Sequence, residues 1–243
     1  MNPLDALLAR PITHRGLHDG NKAVMENSLT AVMASAAAGY PIEIDVQLSA
    51  DDVAIMFHDE TLDRLTKETG PVRQRTAEQL RAIKLGDTDD TPLPLADVLK
   101  AINGRVPIVV EMKDNGKDND ALAQAVARDL LAYDGPCAAM SFAYDLVAAF
   151  VHHAPTIDAG LTAEGIVAEK LALHRTFLDR MGDKISFMSY GVTNLPNDLV
   201  TQLRRDRHMK IITWTVRDEA TRARCADHVD QITFELFTPD ERK

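Results

Sequence analysis

Short runs rich in Val and Ile alternate with longer Ala- and Leu-rich stretches along most of the chain, and this alternation constrains the fold more than any other feature. The strand-like runs fall at residues 11–16, 42–48, 106–113, 137–142, 158–163, 184–190, 210–216 and 229–235. Between them, residues 28–38, 95–102, 119–131, 144–153, 166–181, 197–207 and 218–226 carry apolar side chains at helical three and four spacings. Strands joined through helices pair in parallel, and eight of them close a barrel of roughly 250 residues. With 243 residues, the sequence predicts an α/β fold: one (β/α)8 TIM barrel occupying residues 1–243 as a single domain. A doubly wound open sheet is the alternative that alternation alone leaves open. The one irregularity, at about residues 51–94, holds an extra strand-like run at 53–58 and a Gly/Pro/Asp-rich stretch. It reads as a small insertion between strands 2 and 3.

Composition narrows the partners. Lys and Arg number 27 against 37 Asp and Glu, a net charge of −10 that repels a phosphate backbone. Nucleic acid is therefore not expected as a partner. The two cysteines, Cys137 and Cys225, are too far apart for a CxxC pair and too few for a disulfide framework, which favours a reducing compartment. No basic-then-apolar leader and no run of 18 apolar residues occurs, so a soluble cytoplasmic protein without stable membrane association is expected.

In a barrel of parallel strands, chemistry collects at the C-terminal strand ends. Polar residues interrupt the apolar runs there: His14-Arg15-Gly16 after the first strand, Glu43-Ile44-Asp45 in the second, His58-Asp59 after the inserted strand, and Glu111-Met112-Lys113 in the third. Residues two apart on a strand share a face, so Glu43 and Asp45 point together into the barrel, and Glu111 and Lys113 repeat the geometry one strand over. Buried carboxylates repel unless a cation lies between them, and all-oxygen ligation suits Mg²⁺ or Ca²⁺. Two histidines, an arginine and a lysine around such a metal suit a phosphate ester, with one imidazole accepting a proton from the attacking hydroxyl and the other protonating the leaving alkoxide. Each pair alone has an ordinary structural role; their convergence on neighbouring strand ends selects the chemical one.

Other polar residues read more simply. His152, His153, His174, His208 and His228 fall in helical or loop contexts as surface or capping residues, and His18 and Asp19 belong to the loop after the first strand. The acidic run from Lys113 through Asn115 to Asp120 reads as a solvated loop with a helix N-cap. Dinucleotide, P-loop, HExxH and GxSxG motifs are absent.

The ordered set His14-Arg15-Gly16, Glu26-Asn27-Ser28, Glu43-Ile44-Asp45-Val46, His58-Asp59 with Leu62, Arg64, Thr66 and Gly70, Pro92-Leu93 and Glu111-Met112-Lys113 resembles the glycerophosphodiester phosphodiesterase family, with a fainter continuation at Ser141-Phe142 and Trp214-Thr215-Val216. The resemblance implies a TIM barrel that uses a divalent cation to hydrolyse glycerophosphodiesters to sn-glycerol 3-phosphate and an alcohol. Carried over by position, it implies Glu43, Asp45 and Glu111 as metal ligands and His14 and His58 as the acid/base pair. It likewise places Arg15 and Lys113 on the phosphate and Trp214 beside the glycerol moiety. Two departures stand out. Met25 replaces the family's usual Pro, which changes loop rigidity, and the closing Asp-Gly-Ile-x-Thr-Asp-x-Pro pattern reads Asp230-Gln231-Ile232-Thr233-Phe234-Glu235-Leu236-Phe237. The second predicts a reshaped mouth at strand eight.

Two other functions compete with this expectation. A phospholipase D-like enzyme, resembling sphingomyelinase D, would act on lipid phosphodiesters and present exposed apolar loops at the barrel mouth. A catalytically silent barrel would bind phosphodiesters without turnover.

Overall fold

The computed structural model describes residues 2–114 and 116–239; Met1, Asn115 of the acidic run, and residues 240–243 of the expected 1–243 span lie outside the described residues. Eight parallel strands form a closed ring: β1 (Ile12–Thr13), β2 (Ile42–Leu48), β5 (Ile108–Met112), β6 (Cys137–Ser141), β7 (Asp158–Ala163), β8 (Phe187–Gly191), β9 (Lys210–Val216) and β10 (Gln231–Phe234). The ring closes where β1 pairs in parallel with both β10 and β2. Two further strands, β3 (Ala54–Met56) and β4 (Leu93–Pro94), extend the sheet outward from β2 by antiparallel pairing. The fold is thus the expected (β/α)8 barrel with an insertion between its second and third ring strands.

The predicted helices form with small changes at their ends: α2 (Leu29–Ala38), α4 (Leu95–Ile102), α5 (Asn119–Leu131), α6 (Tyr144–His153), α7 (Ala168–Met181), α8 (Asp198–Arg207) and α9 (Glu219–Cys225). Two short helices were not foreseen, α1 (Pro3–Leu8) and α3 (Ala77–Arg81) in the insertion. Six and five residues are too short to display a helical period. Each instead announces itself by its cap: Asn2 accepts the Leu4 N–H, and Thr76 and Gln79 form a reciprocal capping box.

All seven residues of β2 are buried, as a strand covered on both faces requires. Ile42, Ile44, Val46 and Leu48 pack outward under the helices in the main core. Inside the barrel, Ile12, Val109, Ala138, Met140, Phe187 and Ile212 form a separate layer with Leu4 and Leu7 of α1. Helix α1 therefore contributes apolar side chains to the interior, and polar groups are left to the other end. Gly160 of β7 makes room for this layer, since a Cβ there would lie 2.3 Å from the Phe187 ring. Gly160→Ala should accordingly destabilise the protein by about 1–3 kcal/mol through overpacking. The expected fall in melting temperature is about 2–4 °C per kcal/mol for a chain of this size; no change in thermal unfolding would refute the packing argument.

Candidate active site

The register of β2 on β5 sets Asp45 directly opposite Glu111, with Glu43 one inward-facing position earlier. The three carboxylates are buried, and one oxygen from each lies within 4.8 Å of the others. Lys113, just past the end of β5, places Nζ 2.7 Å from Asp45 Oδ1 and also bonds Glu111. Asn27 holds Asp45 from the opposite side: its side-chain amide donates to Oδ2 at 2.7 Å and its carbonyl oxygen accepts the Asp45 N–H at 3.0 Å.

The first strand stops after two residues because the chain turns sharply at its end. Arg15 and Gly16 both have positive φ, at 57° and 80°. The turn presses against α2, where a Cβ on Gly16 would sit 2.8 Å from the Ala31 backbone, so glycine is required by space as well as by conformation. In this geometry the Arg15 N–H donates to Glu43 Oε2 at 2.8 Å, and the guanidinium lies 3.2 Å from Asp45. His14, carried just before the turn, bonds through Nδ1 to Glu235 Oε2 at 2.5 Å.

His58 reaches the same place by way of the insertion. Strand β3 runs back along the outer end of β2, and the Phe57 N–H donates to the Asp45 carbonyl at 3.0 Å. The next residue, His58, is thereby delivered to the ring's C-terminal end, with Nδ1 2.6 Å from Asp59. Arg64 then locks the arrangement by donating to both Asp59 oxygens, at 2.6 and 2.8 Å, and to both oxygens of Glu26, at 2.7 and 3.0 Å. Glu26 also accepts from Arg15 at 2.6 Å. One chain of charge-assisted bonds thus joins His58, Asp59, Arg64, Glu26 and Arg15.

His14, Arg15, Glu43, Asp45, His58, Glu111, Lys113 and Trp214, the eight residues singled out in the sequence, line one cavity of about 240 Å³. The remaining wall combines Met140 and Phe142 with Glu164, Ser189 and Thr233. The Phe142 and Trp214 rings meet edge to face at 5.5 Å, and the indole N–H donates to the Ser189 carbonyl at 3.3 Å. The cavity therefore has a charged pole and an aromatic side.

The electrostatics suit a site for a divalent cation. Burial pushes Glu43 well above the usual carboxylate range, and repulsion from Asp45 and Glu111 adds to it against the attraction of Arg15 and Lys113. Burial opposes ionisation of Asp45 too, but Lys113 and Arg15 outweigh it and hold that carboxyl well below its ordinary value. A buried, all-oxygen set of this kind suits a hard divalent cation, with Glu43, Asp45 and Glu111 as the residues that could hold it. Burial lowers His14 below an ordinary histidine despite its bond to Glu235. Glu235 is held far below the carboxylate range because His14, His18 and Arg217 together overcome the effect of burial.

Several residues of the site were quoted in the sequence without a role, and their roles emerge only in three dimensions. Glu26, Asn27, Asp59 and Arg64 hold the other groups in place. Glu235 lies in the divergent closing stretch, yet it stands just past β10, where a search for polar residues at strand ends would have found it. His18 approaches the same carboxylate at 3.5 Å, with a side chain 6% exposed, so it belongs to the site's edge more than to an ordinary loop. His174 departs from the surface reading: it is buried and bonded to the Tyr144 hydroxyl at 2.7 Å. Met25 is likewise a packing residue, buried with Ile55, Phe57, Leu62 and Leu65 in a satellite cluster, and not only a modifier of loop stiffness.

The sequence matches the glycerophosphoryl diester phosphodiesterase family over residues 14–233, and the chain belongs to that family. It is 36% identical over 84 residues to glycerophosphodiester phosphodiesterase 1 of Bos taurus, a match covering 34% of this chain and 24% of the bovine protein. It is 38% identical over 76 residues to the glycerophosphodiester phosphodiesterase of Caldanaerobacter subterraneus subsp. tengcongensis, covering 31% of this chain and 30% of that one. These matches span about a quarter to a third of each relative's length. In fold, the chain superimposes with a TM-score of 0.82 on a phosphodiesterase of Oleispira antarctica solved in complex with the product sn-glycerol-3-phosphate, at 20% identity and covering 97% of this chain and 96% of the other. A glycerophosphodiester phosphodiesterase of Thermotoga maritima gives a TM-score of 0.74 at 23% identity, covering 93% and 94% of the two chains. Among the described residues, no helix is long and apolar enough to cross a membrane.

Burial would raise Glu26, but hydrogen bonds from Arg64 and Asn21 and the charge of Arg15 bring it down to about 2. Since the folded value lies below the ordinary 4.5, the stability it contributes is full above that pH and is lost as the pH falls to about 2. Glu26→Gln should be less stable than the natural sequence near neutrality, with the difference shrinking on acidification across that window. Urea unfolding measured at a series of pH values checks this, and a constant difference would contradict it.

Proposed function

We propose that this chain, as one domain over residues 1–243, is a metal-dependent glycerophosphodiester phosphodiesterase that releases sn-glycerol 3-phosphate and an alcohol. The observation carrying this reading is the convergence of Glu43, Asp45 and Glu111 in the same cavity as His14 and His58. Glu43, Asp45 and Glu111 would hold Mg²⁺ or Ca²⁺. When bound, the metal supplies Lewis-acid polarisation of the phosphoryl oxygens.

The chain's own groups do the rest. An imidazole whose Nδ1 is engaged by a carboxylate keeps Nε2 available for proton transfer, and both histidines are so engaged, His14 by Glu235 and His58 by Asp59. One takes a proton from the attacking hydroxyl, and the other returns one to the leaving alkoxide. Either water or a hydroxyl of the substrate can be the nucleophile in this arrangement. Arg15 and Lys113 bring positive charge to the phosphate, and Trp214 forms the wall beside the glycerol. The substrate is a small molecule, in keeping with a cavity of about 240 Å³. Its turnover would belong to glycerol and lipid metabolism. The free cysteines Cys137 and Cys225 favour a cytoplasmic setting.

Glycerophosphocholine hydrolysis, followed as glycerol 3-phosphate release with Mg²⁺, with Ca²⁺ and with chelator, tests the proposal. Release should require metal and be lost in Glu43→Gln, while His14→Ala and His58→Ala should each lower kcat by about 10²–10⁴-fold. Metal-independent release, or an active Glu43→Gln, would sink it; binding without turnover would make the protein a silent phosphodiester-binding barrel. Glu235→Gln keeps an acceptor for His14 but removes the charge. It should cost about 10–100-fold in kcat, the range typical of groups that orient functional side chains, and displace the pH profile.

A further inference from the structure

Trp214 lines the catalytic cavity, and the next residue, Thr215, lines a second one of about 550 Å³ between the segment that follows β8 and helix α9. Arg217 and Arg224 line this second cavity with the hydroxyl-bearing Thr193, Thr215 and Thr221, and Leu195 and Pro196 supply an apolar side. Both arginines are exposed. In a chain of net charge −10, a cavity lined by two arginines and three threonines is a local departure. Its donors are of the kind that grip phosphate oxygens. The one carboxylate among the lining residues, Asp218, is engaged by the backbone, where it accepts the Thr221 N–H at 2.6 Å. Arg224 donates to the Thr221 hydroxyl at 2.8 Å, which ties its guanidinium to the cavity's own wall.

Arg217 also touches the catalytic groups. Its Nε donates to Glu235 Oε1 at 2.7 Å, and the other oxygen of Glu235 engages His14 Nδ1 at 2.5 Å. A guanidinium has five N–H donors, so the bond to Glu235 leaves others for a ligand in the cavity. Arg217 therefore stands between the second cavity and the carboxylate that orients His14.

Resting on the phosphodiesterase reading above, we propose that this cavity is a second, non-catalytic site for a phosphomonoester, the class to which released sn-glycerol 3-phosphate belongs, and that its occupancy slows the reaction by drawing Arg217 away from Glu235. A phosphomonoester carries about two negative charges near neutrality, against one on Glu235, so it competes favourably for the guanidinium. Its phosphate meets Arg217, Arg224 and the threonine hydroxyls, and its carbon skeleton lies against Leu195 and Pro196. Without Arg217, Glu235 holds His14 less firmly. The diester substrate occupies the other cavity and does not displace this ligand, so the slowing falls on kcat.

The test follows choline release from glycerophosphocholine at constant free Mg²⁺ with added sn-glycerol 3-phosphate, with inorganic phosphate, or with sodium chloride at matched ionic strength. It uses the full chain and the variants Arg224→Gln, Thr193→Val and Arg217→Gln. Either phosphate compound should lower kcat of the natural sequence by about fivefold or more, and chloride should not. Arg224→Gln and Thr193→Val, on opposite walls of the second cavity, should match the natural kcat without added ligand and lose its fall, keeping only inhibition that substrate overcomes. Arg217→Gln should start from a lower kcat and fall no further. Purely competitive inhibition in the natural sequence, an undiminished kcat effect in both wall variants, or an equal effect of chloride would overturn the inference and leave the phosphodiesterase reading intact. Calorimetric titration of metal-free protein with each phosphate compound checks the site without turnover. The natural sequence should bind one equivalent more than Arg224→Gln, and equal binding would remove the site. Inactivity on every glycerophosphodiester would overturn the phosphodiesterase reading and the coupling together, with the titration still deciding whether the second site exists.

Discussion

Glu43, Asp45 and Glu111 are buried side by side, and carboxylates so placed repel one another in surroundings that screen charge poorly. Much of the neighbouring structure answers this repulsion. Lys113 bridges Asp45 and Glu111, the Arg15 N–H meets Glu43, and Asn27 satisfies both the side chain and the backbone of Asp45. The compensation is uneven: Asp45 is fully supported while Glu43 is left in the protonated direction. A divalent ion is the natural completion of such an arrangement, because it removes repulsion that the resident cations only partly offset.

The barrel supplies this concentration of charge at little cost elsewhere because its two ends are differently filled. A layer of apolar side chains, joined by those of α1, fills the interior beneath the site, with Met140 reaching its wall. The polar layer sits where strand ends give way to loops, so water and ligands can approach it from one direction. The register of β2 on β5 then turns two sequence-separated motifs into a single set of ligating atoms.

How much of this could be read from residues alone depended on the range of the interaction. The eight ring strands and the shared face of Glu43 and Asp45 follow from periods of a few residues, and both were legible. Their boundaries were less so: the first strand was read to residue 16, but the positive φ angles at Arg15 and Gly16 end it at Thr13. The role of Glu235 as the partner of His14 was hidden for another reason. Its partner His14 is 221 residues away in sequence, and only closure of the ring between β1 and β10 brings them together. The bonds of Arg64 to Glu26 have the same character across the insertion. His174 was misread because a polar residue on a helix is usually solvated, and only the packing of Tyr144 reveals that this one is enclosed.

The insertion has a consequence for how the site is held together. His58 stands beside a small apolar assembly of its own, in which Phe57, Leu62, Leu65, Val72, Leu80 and Leu85 pack apart from the main core. His14, by contrast, is fixed to the ring through β1 and Glu235. The two imidazoles are therefore carried by differently packed parts of the chain, joined by the β2–β3 pairing and the Arg64 bonds to Glu26. Contiguous cooperative units of this sort open with their own free energies. The competence of this site therefore depends on the packing of the insertion as well as on closure of the ring.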